Sequence, residues 1–377
     1  MSITEPWRSG CHGFSEQTRV TPGRRRLFVE NEAYREEHFT TCAGDRPLMV
    51  QFCANEPAIL LAAAKLVEDR CDAVDINFGC PQRIARRGNY GAFLMDDLPR
   101  VEALVSTLAR NLRVPVTCKI RIFPELERTL QYARMIEAAG CSLLAVHGRT
   151  REQKDSSKHR ADWAAIAAVR SALRIPVLAN GDVRDLNEAH ACMQATGCVG
   201  VLSAEPLLRN PALFDANAPH DATEAAESRP AEWPAMLAVE YCDAAQEHTP
   251  TPLRMVRGHI HKLLGHWLSE FTDLRDALNS THRTDGSGAP TLKTLADVRA
   301  VCVEAQHRIR AIYQSEHGRR VPVPKLSARA LQREEEAAAK AAAIAAQEME
   351  DNHPYGGSSA KRPREVEPSC EPCTQAA

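Results

Sequence analysis

From residue 47 to about 214, short β-branched runs alternate with stretches whose apolar residues recur at helical spacing. The runs are PLMVQFCA (47 to 54), AVDINFGC (73 to 80), VPVTCKIRI (114 to 122), SLLAVHG (142 to 148), IPVLANGD (175 to 182) and VGVLSAE (199 to 205). Between them lie EPAILLAAAKLVEDR, TLQYARMIEAAG and DWAAIAAVRSAL, each with an amphipathic helical pattern. This alternation predicts βα units around a parallel sheet. The runs begin near residues 48, 73, 114, 143, 175 and 199, at intervals of 25, 41, 29, 32 and 24. That is close to the ~30 residues per unit of a (β/α)8 barrel of ~250 residues. Six units are visible, so the expectation is an α/β protein of TIM-barrel type lacking its first two strands. The missing pair would precede residue 47, where TRV at 18 to 20 is at best a strand fragment. The last unit runs directly into RNPALF and a polar break.

That break, DANAPHDATEAAESRPAEW (215 to 233), reads as a linker. Residues 233 to 279 and 291 to 316 are helical in period with no strand pattern, separated by STHRTDGSGAP. LQREEEAAAKAAAIAAQEMED has strong helix formers but little apolar face, which predicts an exposed helix. The residues after it read as disordered. The predicted organisation is a divergent segment 1–46, a partial barrel 47–222, a helical domain 230–320, and an exposed helix with a disordered tail 321–377.

Composition narrows the class. The chain has 377 residues, 44% hydrophobic and 25% charged, which excludes a wholly disordered or collagen-like protein. With Lys+Arg 47 against Asp+Glu 49, any nucleic-acid contact must come from a local patch. Thirteen scattered cysteines and an opening, MSITEPWRSG, with no apolar run predict a reduced, intracellular protein. AILLAAAKLV at 58 to 67 is far shorter than the ~20 apolar residues a bilayer requires, so no membrane span is expected. CEPC at 370 to 373 offers two of the four ligands of a structural zinc site with no matching pair nearby, so no metal is expected. KRPR at 361 to 364 reads as a nuclear-import patch or as solvated charge.

In such a barrel the functional side chains stand at the carboxyl ends of the strands. Those ends carry Gln51 and Asn55, Asn77 and Cys80, Lys119 and Arg121, His147 and Arg149, Asn180 and Asp182, and Ser203 to Glu205. Cys80 sits between Gly79 and Pro81 on a turn. An ordinary thiol, with pKa ~8.5, is mostly protonated at neutral pH and can donate a proton or act as a nucleophile. Taken alone it could equally be a small loop hydrophobe. Lys119 closes the buried run VTCKI, where an ammonium needs an anionic or electron-rich partner unless it snorkels. His147 in VHGRT offers a ring nitrogen next to a glycine that permits close approach, and Arg149 a planar fork suited to phosphate. In ANGD, Gly181 leaves backbone amides accessible beside Asn180.

The segments VQFCAN, DINFGCPQ, RRGNYGAFLM, VTCKIR, VHGRTREQK, ANGD and NPALF, in that order, resemble the tRNA-dihydrouridine synthases. The likeness is greatest to the eukaryotic branch named for tRNA uridines 16 and 17, and it runs from about residue 27 to 316. It implies an FMN enzyme that reduces the C5=C6 bond of uridines in tRNA, with NADPH or NADH as reductant. By this resemblance Cys80 protonates C5 as a general acid, and Gln51, Lys119 and His147 contact the flavin ring. Asn180, Gly181 and Asp182, with Ala204 and Glu205, match the segments at the FMN phosphate. The last pair is Gly-Arg in many bacterial members, so here the phosphate would lean on backbone amides and Arg149. Asn77, Arg121 and Arg149 are candidate substrate contacts. Arg254, Arg257, His261 and Lys262 form a modest basic stripe on the helical domain, the expected tRNA grip. The target uridine must leave its stack to reach the barrel mouth.

Residues 230 to 320 hold eleven Lys+Arg against eleven Asp+Glu, so that stripe also reads as one face of an amphipathic helix packed on the barrel. Family members open with a strand ending in a Pro-Met type motif, then a second strand; here only Thr21 and Pro22 followed by GRRR hint at them. Loss of that pair would leave unpaired sheet edges beside the cofactor. The expected protein is a monomer in the cytoplasm, with tRNA as its partner and with nuclear presence as an option that KRPR leaves open. Two other readings are an FMN barrel oxidoreductase of a small pyrimidine or enone, and a truncated, non-catalytic RNA-binding homologue.

Overall fold

A computed structural model describes residues 27–42, 44–154, 158–215, 230, 232–248, 252–280 and 294–315. They belong to one compact unit, Met1–Pro322; a second unit, Val323–Ala377, lies outside the described residues, and with it CEPC, KRPR and the segment expected to form an exposed helix. TRV, Thr21 and Pro22, and residues 216–229 of the expected linker also lie outside them.

Two short helices precede the first strand, α1 (Leu27–Glu30) and α2 (Glu32–His38). Asn31 caps α2 by accepting from the Tyr34 amide at 2.9 Å. Then follow β1 (Met49–Phe52), α3 (Pro57–Lys65), β2 (Ala73–Asn77), α4 (Arg83–Gly88), α5 (Leu98–Asn111) and β3 (Val116–Arg121). The alternation continues through α6 (Leu126–Ala138), β4 (Leu143–His147), α7 (Trp163–Ala172), β5 (Val177–Asn180), α8 (Leu186–Thr196), β6 (Gly200–Leu202) and α9 (Glu205–Arg209).

All six strands are parallel and lie in chain order, β1 to β6. This is the α/β, TIM-type sheet that the six apolar runs predict. The two strands absent from the sequence count would precede β1, and residues 1–26 lie outside the described residues.

The strands read as apolar runs because both faces are covered. Val74, Ile76, Cys118, Ile120, Leu144, Val146, Val177 and Ala179 form one core with the inner faces of α3, α5, α6 and α7. Phe28 and Phe39, from the segment ahead of residue 47, belong to the same core, and Phe28 meets Phe52 edge-on with centroids 5.7 Å apart. Three helices are started by aspartate caps. Asp97, Asp162 and Asp185 accept from the amides of Arg100, Ala165 and Glu188 at 3.2, 2.8 and 2.7 Å. Each such cap satisfies an amide at the first turn and fixes where a βα loop ends.

The described residues between 233 and 315 build a second core from helices: α10 (Trp233–Glu247), α11 (Leu253–Leu264), α12 (Trp267–Glu270), α13 (Thr272–Asn279) and α14 (Leu295–Ser315). Ala238, Val256, Ile260, Val298, Cys302 and Ala305 are among its fully buried residues. The short helix α9, which follows β6, lies against α11.

Candidate active site

The parallel register brings the strand ends into one row. Gln51 pairs with Asp75, Asn77 with Lys119, Arg121 with His147, and His147 with Asn180. Side-chain hydrogen bonds then lock this row. Asp75, buried inside β2, accepts from Thr117 Oγ1 at 2.6 Å and from Gln51 Nε2 at 2.7 Å. Asn77 Nδ2 donates to Gln51 Oε1 at 2.9 Å, so the Gln51 amide is held from both ends. Burial raises the Asp75 carboxyl above its usual range, against the pull of Thr117, Gln51 and Lys119. Asp75 is a site residue that sequence reasoning missed. Its signal was a carboxylate inside the otherwise apolar run AVDIN.

Lys119 stands on the next strand. Its ammonium is pushed down to about 8, first by burial and then by Arg121, with Asp75 and Cys80 opposing. Among the described residues no carboxylate lies within ion-pair distance of it. A buried ammonium without a paired anion is poised for an electron-rich ligand.

Cys80 is partly buried on the loop after β2, and its shape is set by three contacts. Asn77 Oδ1 accepts from the Gly79 amide at 2.9 Å, closing a tight turn. Arg121 Nε donates to the Gly79 carbonyl at 2.8 Å, and Arg121 Nη1 to the Thr150 and Gln153 carbonyls at 2.8 and 3.2 Å. The Ala92 amide donates to the Cys80 carbonyl at 3.1 Å. Gly91 has φ +63°, and a Cβ there would lie 2.9 Å from the Cys80 Cβ and carbonyl oxygen, so this crossing requires glycine. Arg121, a candidate substrate contact by resemblance, is thus buried and committed to backbone carbonyls that shape the Cys80 loop.

His147 is held neutral: burial first, then Lys119, Arg121 and Arg149, push it down to about 2. Arg149 Nη1 lies 3.1 Å from His147 Nε2. A guanidinium can only donate, so Nε2 accepts and the ring proton is assigned to Nδ1. Arg149 is itself buried. Its Nε donates to the His159 carbonyl at 2.6 Å and its Nη2 pairs with Asp182, whose other oxygen accepts from the Ala161 amide at 2.5 Å. The fork expected to meet phosphate or substrate is therefore spent inside the protein, and sequence spacing could not show that partner 33 residues away.

The two glycines here also serve the chain itself. A Cβ on Gly148 would lie 2.8 Å from the Asp162 carbonyl oxygen, so this glycine lets the cap of α7 close on the end of β4. Gly181, φ +116°, makes room for Ala161 and for the His147 ring edge, and Trp163 Nε1 donates to its carbonyl at 3.1 Å. Asp182 follows at φ +58°, and Asn180 Nδ2 donates to the Leu202 carbonyl at 2.9 Å.

Ala204 and Glu205 are exposed at the start of α9, where Glu205 pairs with Arg209 at 2.5 Å. Arg254 and Lys262 are exposed and Arg257 half-buried on α11, while His261 Nε2 lies 3.0 Å from Asn279 Oδ1. The helix buries Val256, Ile260, Leu263 and Leu264, so the stripe lies on a helix that is also packed.

What the strand ends assemble is a row of locked donors with one thiol on a glycine-shaped loop. Residues 3–301 match the family model of the dihydrouridine synthases, and the chain belongs to that family. It is 45% identical over 286 residues to the rat protein named tRNA-dihydrouridine(16/17) synthase [NAD(P)(+)]-like, covering 75% of this chain and 62% of that one. To tRNA-dihydrouridine(16/17) synthase [NAD(P)(+)] of Saccharomyces cerevisiae it is 39% identical over 282 residues, 72% of this chain and 65% of the other. To the human tRNA-dihydrouridine(20a/20b) synthase [NAD(P)+]-like protein it is 40% identical over 190 residues, 50% of this chain and 59% of the other. The chain spans less than two thirds of the length of these relatives.

Proposed function

We propose that the protein is an FMN-dependent tRNA-dihydrouridine synthase, reducing the C5=C6 bond of D-loop uridines with NADPH or NADH. The observation that carries this reading is the set of groups at the ends of β2 and β3: Lys119, half-buried opposite Asn77 with no carboxylate at ion-pair distance among the described residues, and a thiol on a loop fixed by Asn77, Arg121 and Gly91.

The donor set fits a flavin. Gln51 presents an amide held by Asp75 and Asn77, Lys119 a cation, and the neutral His147 an Nδ1–H. These would line the polar edge of an isoalloxazine ring, with Lys119 holding negative charge at N1 and O2. Asn180, Gly181 and Asp182, with Ala204 and Glu205, would receive the phosphate through backbone amides, since Arg149 is bound to Asp182 and Glu205 to Arg209. Held there and reduced by NADPH or NADH, FMN would provide the hydride that C6 of the uracil receives. Cys80 then gives its proton to C5 from the opposite face, and solvent reprotonates the thiol. Arg121 and Asn77 act by holding the Cys80 loop, and the Arg254, Arg257 and Lys262 stripe contributes to gripping the tRNA.

Cys80→Ala should abolish uridine reduction while leaving flavin content and tRNA affinity within about twofold. A variant with full turnover removes Cys80 from the mechanism. Consumption of NADPH with free uracil or dihydroorotate, but none with tRNA, would instead support a small-molecule FMN oxidoreductase.

A further inference from the structure

The segment after Cys80 carries a group of charges with no match among the described residues. Arg83, Arg86 and Arg87 of α4 are all exposed, and among the described residues none makes an ion pair or a side-chain hydrogen bond. Several other surface arginines are matched: Arg100 with Asp97, Arg113 with Asp69, Arg184 with Glu188, Arg299 with Asp243 and Arg308 with Asp273. The carboxylates that follow α4 in sequence are taken, Asp96 by Arg151 and Asp97 by Arg100.

Helix geometry gathers the three. At 3.6 residues per turn, Arg83, Arg86 and Arg87 fall within an arc of ~100°, with Ala85 on the opposite side. Ala85 is fully buried in a small cluster with Cys53 and Tyr90, against which Cys80 and Phe93 pack. Asn55 Nδ2 donates to the Gly88 carbonyl at 3.0 Å, and the Tyr90 amide to the Ala85 carbonyl at 3.1 Å. One rigid cluster therefore holds the thiol and turns three cations outward beside it. Spacings of i,i+3 and i,i+4 make these like charges repel, so the free chain gains no stability from them.

We propose that Arg83, Arg86 and Arg87 form a phosphate-binding rim at the candidate active site, gripping the tRNA backbone next to the uridine to be reduced. This rests on the function proposed above. A guanidinium fork matches phosphate oxygens, and a chain of net charge −2 needs such a local patch to hold a polyanion. Fixed to the Cys80 cluster, the rim would set which nucleotide faces the thiol, whereas the α11 stripe grips the tRNA body.

The test is the salt dependence of tRNA binding by the FMN-loaded full chain, for the wild type, each Arg→Gln variant and the triple variant. Each arginine that contacts a phosphate should flatten the slope of log K against log salt by about 1. KM for tRNA should rise while flavin content and melting temperature stay unchanged, and Arg→Lys should restore the slope. Wild-type slopes in all the Gln variants of an enzyme that reduces tRNA overturn the rim and leave the proposed function standing. A wild-type chain that binds no tRNA at low salt overturns both.

Discussion

Asp75 organises the candidate site although it touches neither end of the proposed reaction. It orients the Gln51 amide through Nε2 and supports Lys119 electrostatically from the neighbouring strand. Asp75→Asn replaces an acceptor with a mixed donor, sets two amide groups against each other and removes the charge. FMN affinity should fall about tenfold, the scale of one hydrogen bond to a charged group. Equilibrium dialysis checks this, and unchanged affinity would contradict the orienting role. Lys119 gives a second expectation, readable without flavin. Its folded value of about 8 lies below the free ammonium's value, so from pH ~8 to ~10 the unfolded chain binds more protons than the folded one. This group therefore makes stability rise with pH across that window and lowers it below pH 8. Relative to the wild type, flavin-free Lys119→Met should lose that rise, up to about 1.4 kcal/mol per pH unit. Parallel urea-unfolding profiles for the two proteins from pH 7 to 10 would contradict it.

At the scale of elements, the glycine crossing between the Cys80 loop and the segment opening with Gly91 decides how the thiol is presented. Gly91→Ala would place a methyl 2.9 Å from the Cys80 Cβ at a positive φ. Its expected effect is a several-fold change in the alkylation rate of Cys80 in the flavin-free chain, with the fold retained by circular dichroism. An unchanged rate would mean that the crossing does not control the thiol. The strands themselves were legible in the sequence because a parallel sheet covered on both faces needs unbroken apolar runs, and each run contains a strand of the sheet. Their polar ends were legible for the same reason. What escaped was pairing across the sheet. Nothing local marks Asp182 as the partner of Arg149, or Gly79 and Thr150 as the acceptors of Arg121. Gly148 read as an approach for a ligand, whereas it admits the backbone of Asp162. The helices α1 and α2, too short to show a clear period, went unread, yet Phe28 seals the core.

Over the whole molecule the charge is near neutral, and the described residues form two large cores, one of strands and helices and one of helices alone. With Lys+Arg and Asp+Glu almost equal, recognition of a polyanion has to be concentrated in patches, and three cations unmatched among the described residues stand together where the loop after β2 turns into α4. The chain belongs to the dihydrouridine synthase family, and the reaction proposed for it sends a hydride to C6 and a proton to C5 of a uracil, with Cys80 as the proton donor. That claim has a direct readout. FMN-loaded chain, unmodified tRNA and NADPH are incubated in D2O, and the position of deuterium in the product nucleoside is found by mass spectrometry and NMR. The account predicts dihydrouridine carrying one deuterium at C5 with the wild type and no product with Cys80→Ala; unreduced tRNA with the flavin-loaded wild type, or equal product from the variant, would contradict it.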